Sequence, residues 1–217
     1  MRYKAVIFDM DGTLIDSERL VIEAGLAAFR AMDLPERRDV LTDLIGTVGE
    51  AAPTLRAAFG AAFDHEGFGA LWDLEVQRMF ASGIPLRPGA DELLGLLADS
   101  GVPVALATNS RTQTARESLR SAGIAHRFPE AHVWGRDRVD RPKPAPDLYL
   151  RAAEGLGVAP ADCLAFEDSD VGTVAALAAG MTVIQIPDQR PPATRDAHIL
   201  AESLLDGARA AGVLPAA

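Results

Sequence analysis

The chain has 217 residues, of which 48% are hydrophobic, and a formal net charge of -10 at pH 7. That length and apolar content suit one large domain, or a domain carrying an insertion, with a substantial core. The negative balance excludes the basic face that nucleic acid or an anionic membrane surface would need, so any phosphate-binding site must gather positive charge locally, from a metal, a lysine or backbone N–H groups.

Met1-Arg2-Tyr3-Lys4 leads straight into the apolar run Ala5–Phe8, with no small-residue cleavage site. No signal peptide is expected, and no run nears the roughly 18 apolar residues of a membrane span. Ala5–Phe8 reads as a buried strand that ends abruptly in Asp9 and Asp11, one residue apart, with Gly12 placed to let the backbone turn. In an open α/β sheet ligands bind beyond the carboxyl ends of the strands, so Asp9 is expected at the sheet's rim. A carboxylate there can act as a nucleophile and its neighbour can move protons.

Residues 16–86 read as helices in succession, at 17–32, 36–44, 50–59 and 67–81, with an apolar stripe that includes Leu55, Phe59, Phe63, Leu71 and Trp72. The stripe predicts a small helical bundle with its own core. Asp16, Ser17 and Glu18 are expected to cap its first helix. The segment Gly46-Thr47-Val48-Gly49-Glu50 is a candidate substrate-reading loop, with a plain interhelical turn as the alternative. The chain returns from this insertion at Pro85-Leu86-Arg87-Pro88-Gly89.

Beyond it, strand-length apolar runs at 102–107, 163–167 and 181–186 alternate with helical patterns at 111–122, 146–156 and 170–179. Such alternation predicts an α/β fold with a doubly wound parallel sheet. His132-Val133-Trp134 is a further short strand candidate, Ser110 and then Ser169 or Asp170 are expected helix caps, and Gly123 and Gly157 stand where helices should stop. The single cysteine, Cys163, lies in a strand-like run and reads as a buried structural thiol, which fits a cytoplasmic location. His65, His126, His132 and His198 are scattered, without metal-ligand spacing, and read as structural or surface residues.

Four segments end apolar runs in reactive or small polar residues or fix a lysine between prolines: Asp9-Met10-Asp11-Gly12-Thr13, Thr108-Asn109-Ser110, Lys143 within Arg141-Pro142-Lys143-Pro144-Ala145-Pro146-Asp147, and Glu167-Asp168-Ser169. In order and spacing they resemble the four signature motifs of the haloacid dehalogenase superfamily of phosphotransferases. Pro88-Gly89 and Ala178-Ala179-Gly180-Met181 extend the resemblance to the branch that contains β-phosphoglucomutase and many small-molecule phosphatases. The resemblance implies a Rossmann-like core domain at 1–15 and 87–217 and an α-helical cap domain at 16–86 that closes over the active site. It also implies Mg²⁺ as cofactor, held by the Asp9 side chain, the Asp11 backbone carbonyl and Asp168, with Glu167 binding directly or from behind.

On this reading Asp9 attacks phosphorus to give an aspartyl-phosphate, and Asp11 protonates the leaving alcohol before activating water. Lys143 gives the phosphoryl group a fixed positive charge, while Thr108 offers its hydroxyl and Asn109 its backbone N–H near a helix N-terminus. Asp11 argues against the dehalogenases, which lack a carboxylate at that position, and for phosphate esters. In the mutase pattern a histidine stands on the first cap helix and an arginine follows the glycine of the substrate loop; here those positions carry Val21 and Gly49. The expected activity is therefore Mg²⁺-dependent hydrolysis of a small sugar- or polyol-type phosphomonoester, with Gly46, Thr47 and Val48 contributing specificity. A β-phosphoglucomutase-like phosphotransferase is the alternative, and a non-enzymatic phosphate sensor is disfavoured by the presence of Asp9, Asp11 and Lys143. The expected partner is the small-molecule substrate, with no nucleic acid and no membrane, and the expected state is a monomer or weak dimer.

Overall fold

A computed structural model describes residues 3–45 and 51–214 of the chain. The chain divides into two compact units, Met1–Asp16 with Pro85–Ala217, and Ser17–Ile84.

The first unit is built on a six-stranded parallel sheet of β1 (Ala5–Phe8), β2 (Val104–Thr108), β3 (Val133–Gly135), β4 (Cys163–Glu167), β5 (Thr182–Gln185) and β6 (Ile199–Leu200), in the spatial order β3-β2-β1-β4-β5-β6. The order reverses beside β1, which makes the gap between β1 and β4 the switch point where α/β sheets bind ligands. All four residues of β1 and all five of β4 are buried, as expected for central parallel strands covered on both faces. Ala5, Ile7, Ala105, Ala107, Cys163 and Ala165 share one face and pack with Leu148, Tyr149 and Ala152 of the helix Asp147–Leu156. Successive side chains of a strand point to opposite faces, and on the other face Phe8 and Phe166 stack with ring centroids 5.0 Å apart.

Register fixes which residues reach the rim together. Phe8 pairs with both Leu106 and Phe166, so Asp9 stands level with Glu167 and one residue short of Thr108. The Asp9 N–H still donates to the Phe166 carbonyl at 3.0 Å, which holds the start of the loop against the sheet. Gly12 then takes φ +80°, the left-handed region that favours glycine, and turns the chain. The outgoing and returning segments are tied to one another: the Asp16 N–H donates to the Pro85 carbonyl at 2.8 Å and the Arg87 N–H to the Leu14 carbonyl at 2.9 Å.

The second unit consists, among its described residues, of α1 (Ser17–Ala31), α2 (Arg38–Leu44), α3 (Ala51–Phe59) and α4 (His65–Ala81). Helix α4 starts two residues before the predicted 67–81, because the Asp64 carboxylate accepts the Gly67 N–H and caps it there. Its core gathers Ile22, Phe29, Leu41, Leu55 and Phe68, with Phe59, Phe63, Leu71 and Trp72 packed around them. Four phenylalanines form a chain of ring contacts, Phe29–Phe68 being the closest at 4.5 Å. A Cβ on Gly25 would lie 2.6 Å from Leu41, so α1 and α2 approach closely only because that position lacks a side chain.

The first unit also contains α5 (Ala90–Asp99), α6 (Thr112–Ser121), α7 (Asp147–Leu156), α8 (Asp170–Ala178) and α9 (Leu204–Ala210). No described helix is long and apolar enough to cross a membrane.

Candidate active site

Asp9 leaves the end of β1, Glu167 ends β4 and Asp168 follows it, and each offers a carboxylate oxygen within 4.8 Å of the others. Lys143 comes from the loop before α7 and reaches between two of them. Its Nζ donates to Asp9 Oδ1 at 2.6 Å and to Glu167 Oε1 at 2.5 Å, with the lysine 4% exposed and Glu167 fully buried. The ammonium thus bridges two buried carboxylates, with the half-buried Asp168 beside them.

Glu167 is held from several sides. Tyr149, wholly buried on α7, donates its hydroxyl to the same Oε1 at 2.5 Å, and its ring lies under the Lys143 ammonium, 4.9 Å from the centroid. Ser169 donates to Oε2 at 3.2 Å while also accepting the Gly172 N–H as cap of α8. A Cβ at position 172 would sit 1.9 Å from Glu167 Oε1, so the carboxylate fits only over a glycine.

These contacts set the electrostatics. Burial pushes the Asp9 carboxyl well above its usual range, Lys143 opposes that rise, and the charges of Glu167 and Asp11 add to it. Burial by itself would lower the Lys143 ammonium, but Asp9 and Glu167 outweigh it and hold the group above its ordinary value, so it stays charged. Burial first, then Glu167 and Asp9, raise Tyr149, which stays a donor.

Asp11 lies just past Asp9, half-buried, and its Oδ2 accepts a hydrogen bond from the Ser110 hydroxyl at 2.8 Å. Ser110 therefore does not cap the helix that follows, as its position in the sequence suggested. A carboxylate is the stronger acceptor for its hydroxyl, and the α6 N-terminus is capped from a distance by Asp137, which accepts the Thr112 N–H at 2.6 Å. Thr108 ends β2, and its Oγ1 accepts the Ser110 N–H at 3.0 Å. Asn109 spends its side chain on Lys143, accepting the lysine's N–H at 3.0 Å and donating to its carbonyl at 3.2 Å. Thr13 donates to Asp168 Oδ1 at 3.3 Å.

Of the residues singled out in the sequence, Asp9, Lys143, Glu167 and Asp168 converge at one rim, and Asp11, Thr108 and Asn109 join them through Ser110 and Lys143. Gly46, Thr47 and Val48 lie outside the described residues.

The donor set suits a hard cation. All three clustered side chains offer oxygen, and one ammonium leaves the group with excess negative charge before an anionic substrate arrives. Lone-pair accounting grades the ligands: Glu167 Oε1 already takes two donors and Oε2 one, so Glu167 has at most one lone pair for a metal. Asp9 and Asp168 are the better direct ligands.

Residues 3–180 match the family model described as haloacid dehalogenase-like hydrolase. The chain belongs to that family. The hydrolase is 36% identical over 201 residues to protein CbbY of Rhodobacter capsulatus, spanning 87% of each chain. It is 36% identical over 194 residues to hexitol phosphatase A of Escherichia coli K12, spanning 86% of this chain and 84% of that one. Among solved structures it superposes on a HAD family hydrolase from Deinococcus radiodurans R1 with bound phosphate and sodium, with TM-score 0.84 and 28% identity, over 100% of this chain and 99% of the other. It also superposes on a putative β-phosphoglucomutase from Thermotoga maritima with TM-score 0.74 and 30% identity, over 94% of this chain and 91% of the other, and with the phosphatase relatives this places the hydrolase in the β-phosphoglucomutase-like branch.

Sequence reasoning passed over Tyr149, Ser169, Gly172 and the amide of Asn109 as members of the site. The signals were faint: a tyrosine on an amphipathic helix reads as core, and a glycine in the first turn of a helix reads as a weak helix former.

Proposed function

We propose that this hydrolase cleaves small phosphomonoesters, of the sugar or polyol phosphate class, through a phosphorylated Asp9 and with Mg²⁺ as cofactor. The observation that carries the reading is a buried carboxylate at the switch-point rim held 2.6 Å from an ammonium that Glu167 also engages.

Phosphate monoesters hydrolyse very slowly without catalysis, and their transfer spreads charge over the equatorial oxygens while the entering and leaving oxygens lie in line. Asp9 attacks phosphorus, the P–O bond to the alcohol breaks, and the Lys143 ammonium stabilises the charge on the phosphoryl oxygens. Asp11 gives its proton to the leaving oxygen. Once the alcohol is gone, the same carboxylate takes a proton from water as the water displaces Asp9 from phosphorus. The Thr108 hydroxyl and the Asn109 backbone N–H, at the entrance to α6, serve as further donors to the phosphoryl group. Asp9 and Asp168, with Glu167 and the Asp11 carbonyl in support, would hold Mg²⁺, which would supply the additional positive charge that two anions need in order to meet.

The name of hexitol phosphatase A supports the substrate class. We assign substrate selection to the helical unit, with Gly46, Thr47 and Val48 as its specificity loop.

The test is a phosphate-release screen over small phosphomonoesters with Mg²⁺, ranked by kcat/KM. Activity on sugar or polyol phosphates that is lost in excess chelator supports the proposal, and full activity in chelator refutes the metal assignment. Given β-glucose 1-phosphate with glucose 1,6-bisphosphate, the enzyme is expected to release free phosphate; rapid glucose 6-phosphate formation with little phosphate would make it a mutase.

A further inference from the structure

The loop that carries Lys143 is closed at its ends by Arg141, which donates to Asp147 at 2.8 and 3.1 Å, but that pair does not touch the lysine's own main chain. Pro142, Pro144 and Pro146 bring no N–H groups, and within the loop the Ala145 N–H donates to the Pro142 carbonyl at 3.0 Å. Yet the tip of the lysine must be placed to a fraction of an ångström, since it serves Asp9 just past β1 and Glu167 at the end of β4 together. What fixes its backbone comes from the residue that follows β2. The Asn109 Oδ1 accepts the Lys143 N–H and the Asn109 Nδ2 donates to the Lys143 carbonyl, so one side-chain amide engages both polar groups of the lysine's main chain. This is the pairing a neighbouring strand would offer, supplied across 34 positions of sequence by one residue.

We propose that the Asn109 side chain is a positioning residue, acting on the reaction through the backbone of Lys143 and not through the substrate. The proposal rests on the reading that Lys143 binds the transferring phosphoryl group. It explains why the amide matters. Aspartate at 109 would still accept the Lys143 N–H, but it would set an acceptor against the Lys143 carbonyl, so the near-isosteric change keeps one half of the clamp and loses the other, whereas alanine loses both. Misplacing a catalytic group by about 1 Å costs on the order of 10²-fold in rate.

The test is a mutant cycle of Asn109→Ala, Asn109→Asp and Lys143→Met, read on an activated aryl phosphate and on inorganic phosphate affinity by calorimetry. Each Asn109 variant is expected to lose about 10- to 100-fold in kcat/KM and to weaken phosphate binding. In the Lys143→Met background, Asn109→Ala is expected to add less than about twofold, because interactions that act as a unit are not additive. A second readout does not depend on turnover. Hydrogen exchange of the Lys143 amide, resolved by NMR, should accelerate in Asn109→Ala and stay slow in Asn109→Asp, which keeps that acceptor. Losses that add in the double variant, single variants within twofold of wild type, or unchanged exchange in Asn109→Ala would each overturn the proposal. If Lys143→Met leaves phosphate affinity intact, the reading of Lys143 as phosphoryl ligand fails instead, and the exchange result still decides whether the clamp exists.

Discussion

The sheet rim and the helical unit are held together by opposite means. At the rim, charged and polar side chains are buried or half-buried and satisfied by partners remote in sequence: Lys143 and Asp9 are 134 positions apart, Thr13 and Asp168 155, Ser110 and Asp11 99. In the helical unit cohesion comes from phenylalanines and leucines, and its tryptophan adds a half-buried polar contact, Trp72 Nε1 donating to the Val21 carbonyl at 2.7 Å. Among the described residues, the acids able to hold a metal together are all at the rim. Burying charge is costly even when it is paired, whereas burying rings is favourable, and on the proposed function the rim carries the chemistry that justifies that cost while the helical unit supplies shape.

The largest effect expected from breaking this division is at Asp9. Asp9→Asn should lower turnover by about 10³-fold or more while leaving thermal stability unchanged or slightly raised, since the amide removes a carboxylate that burial disfavours. Retention of a tenth of the rate would remove Asp9 from the nucleophile's role. Lys143→Ala should fail in both respects. It leaves Asp9 and Glu167 buried without their shared cation, for which we expect a loss of about 3–5 kcal/mol in denaturant unfolding together with loss of turnover.

The helical unit should answer differently. Phe68 is fully buried and contacts Phe29, Phe63 and Trp72, so Phe68→Ala should destabilise that unit by about 3–5 kcal/mol. Folded protein should still hydrolyse an aryl phosphate within about tenfold of wild type, on the assignment of the helical unit to selection and not to bond breaking. Comparable losses of rate for Phe68→Ala and Lys143→Ala would erase the distinction between the regions.

Strands at the centre of the sheet were legible because burial on both faces leaves an unbroken apolar run; the predicted 163–167 is β4, and 102–107 differs from β2 by two residues at its start and one at its end. The two-residue β6 was not, since pairing with β5 creates it and no pattern of its own announces it. Helix α5 carries Ala90, Leu93, Leu94 and Leu97 at helical spacing but opens on Gly89 at φ +81° instead of a capping Ser, Thr, Asp or Asn, which obscured its start. At the site, the acids were legible because strand ends rarely carry two of them. Their partners were not: nothing in the composition of α7 distinguishes Tyr149 as a donor to Glu167, and the missing Cβ of Gly172 acquires meaning only once Glu167 lies over it.

A smaller effect concerns Cys163, on β4 and four residues before the site. Burial first, with Asp162 adding, pushes its thiol from 9.0 up to about 11. The unfolded chain therefore loses this proton before the folded one does. Stability should be unaffected below about pH 9 and fall between pH 9 and 11 through this group. Cys163→Ala should show a shallower decline than wild type in denaturant titrations across that window; parallel curves would mean that the thiol ionises freely in the fold.

The most direct measurement uses Asp11→Asn with an aryl phosphate whose phenolate leaves without a proton. The variant should still phosphorylate Asp9 and then stall for want of a base, giving a burst of phenol followed by a slow steady state. Quenching in the slow phase and mass analysis of the peptide containing Asp9 should find a phosphoryl group on that residue. A burst with an unmodified Asp9 peptide, or wild-type turnover without a burst, would contradict the division of labour between the two aspartates on which the mechanism stands.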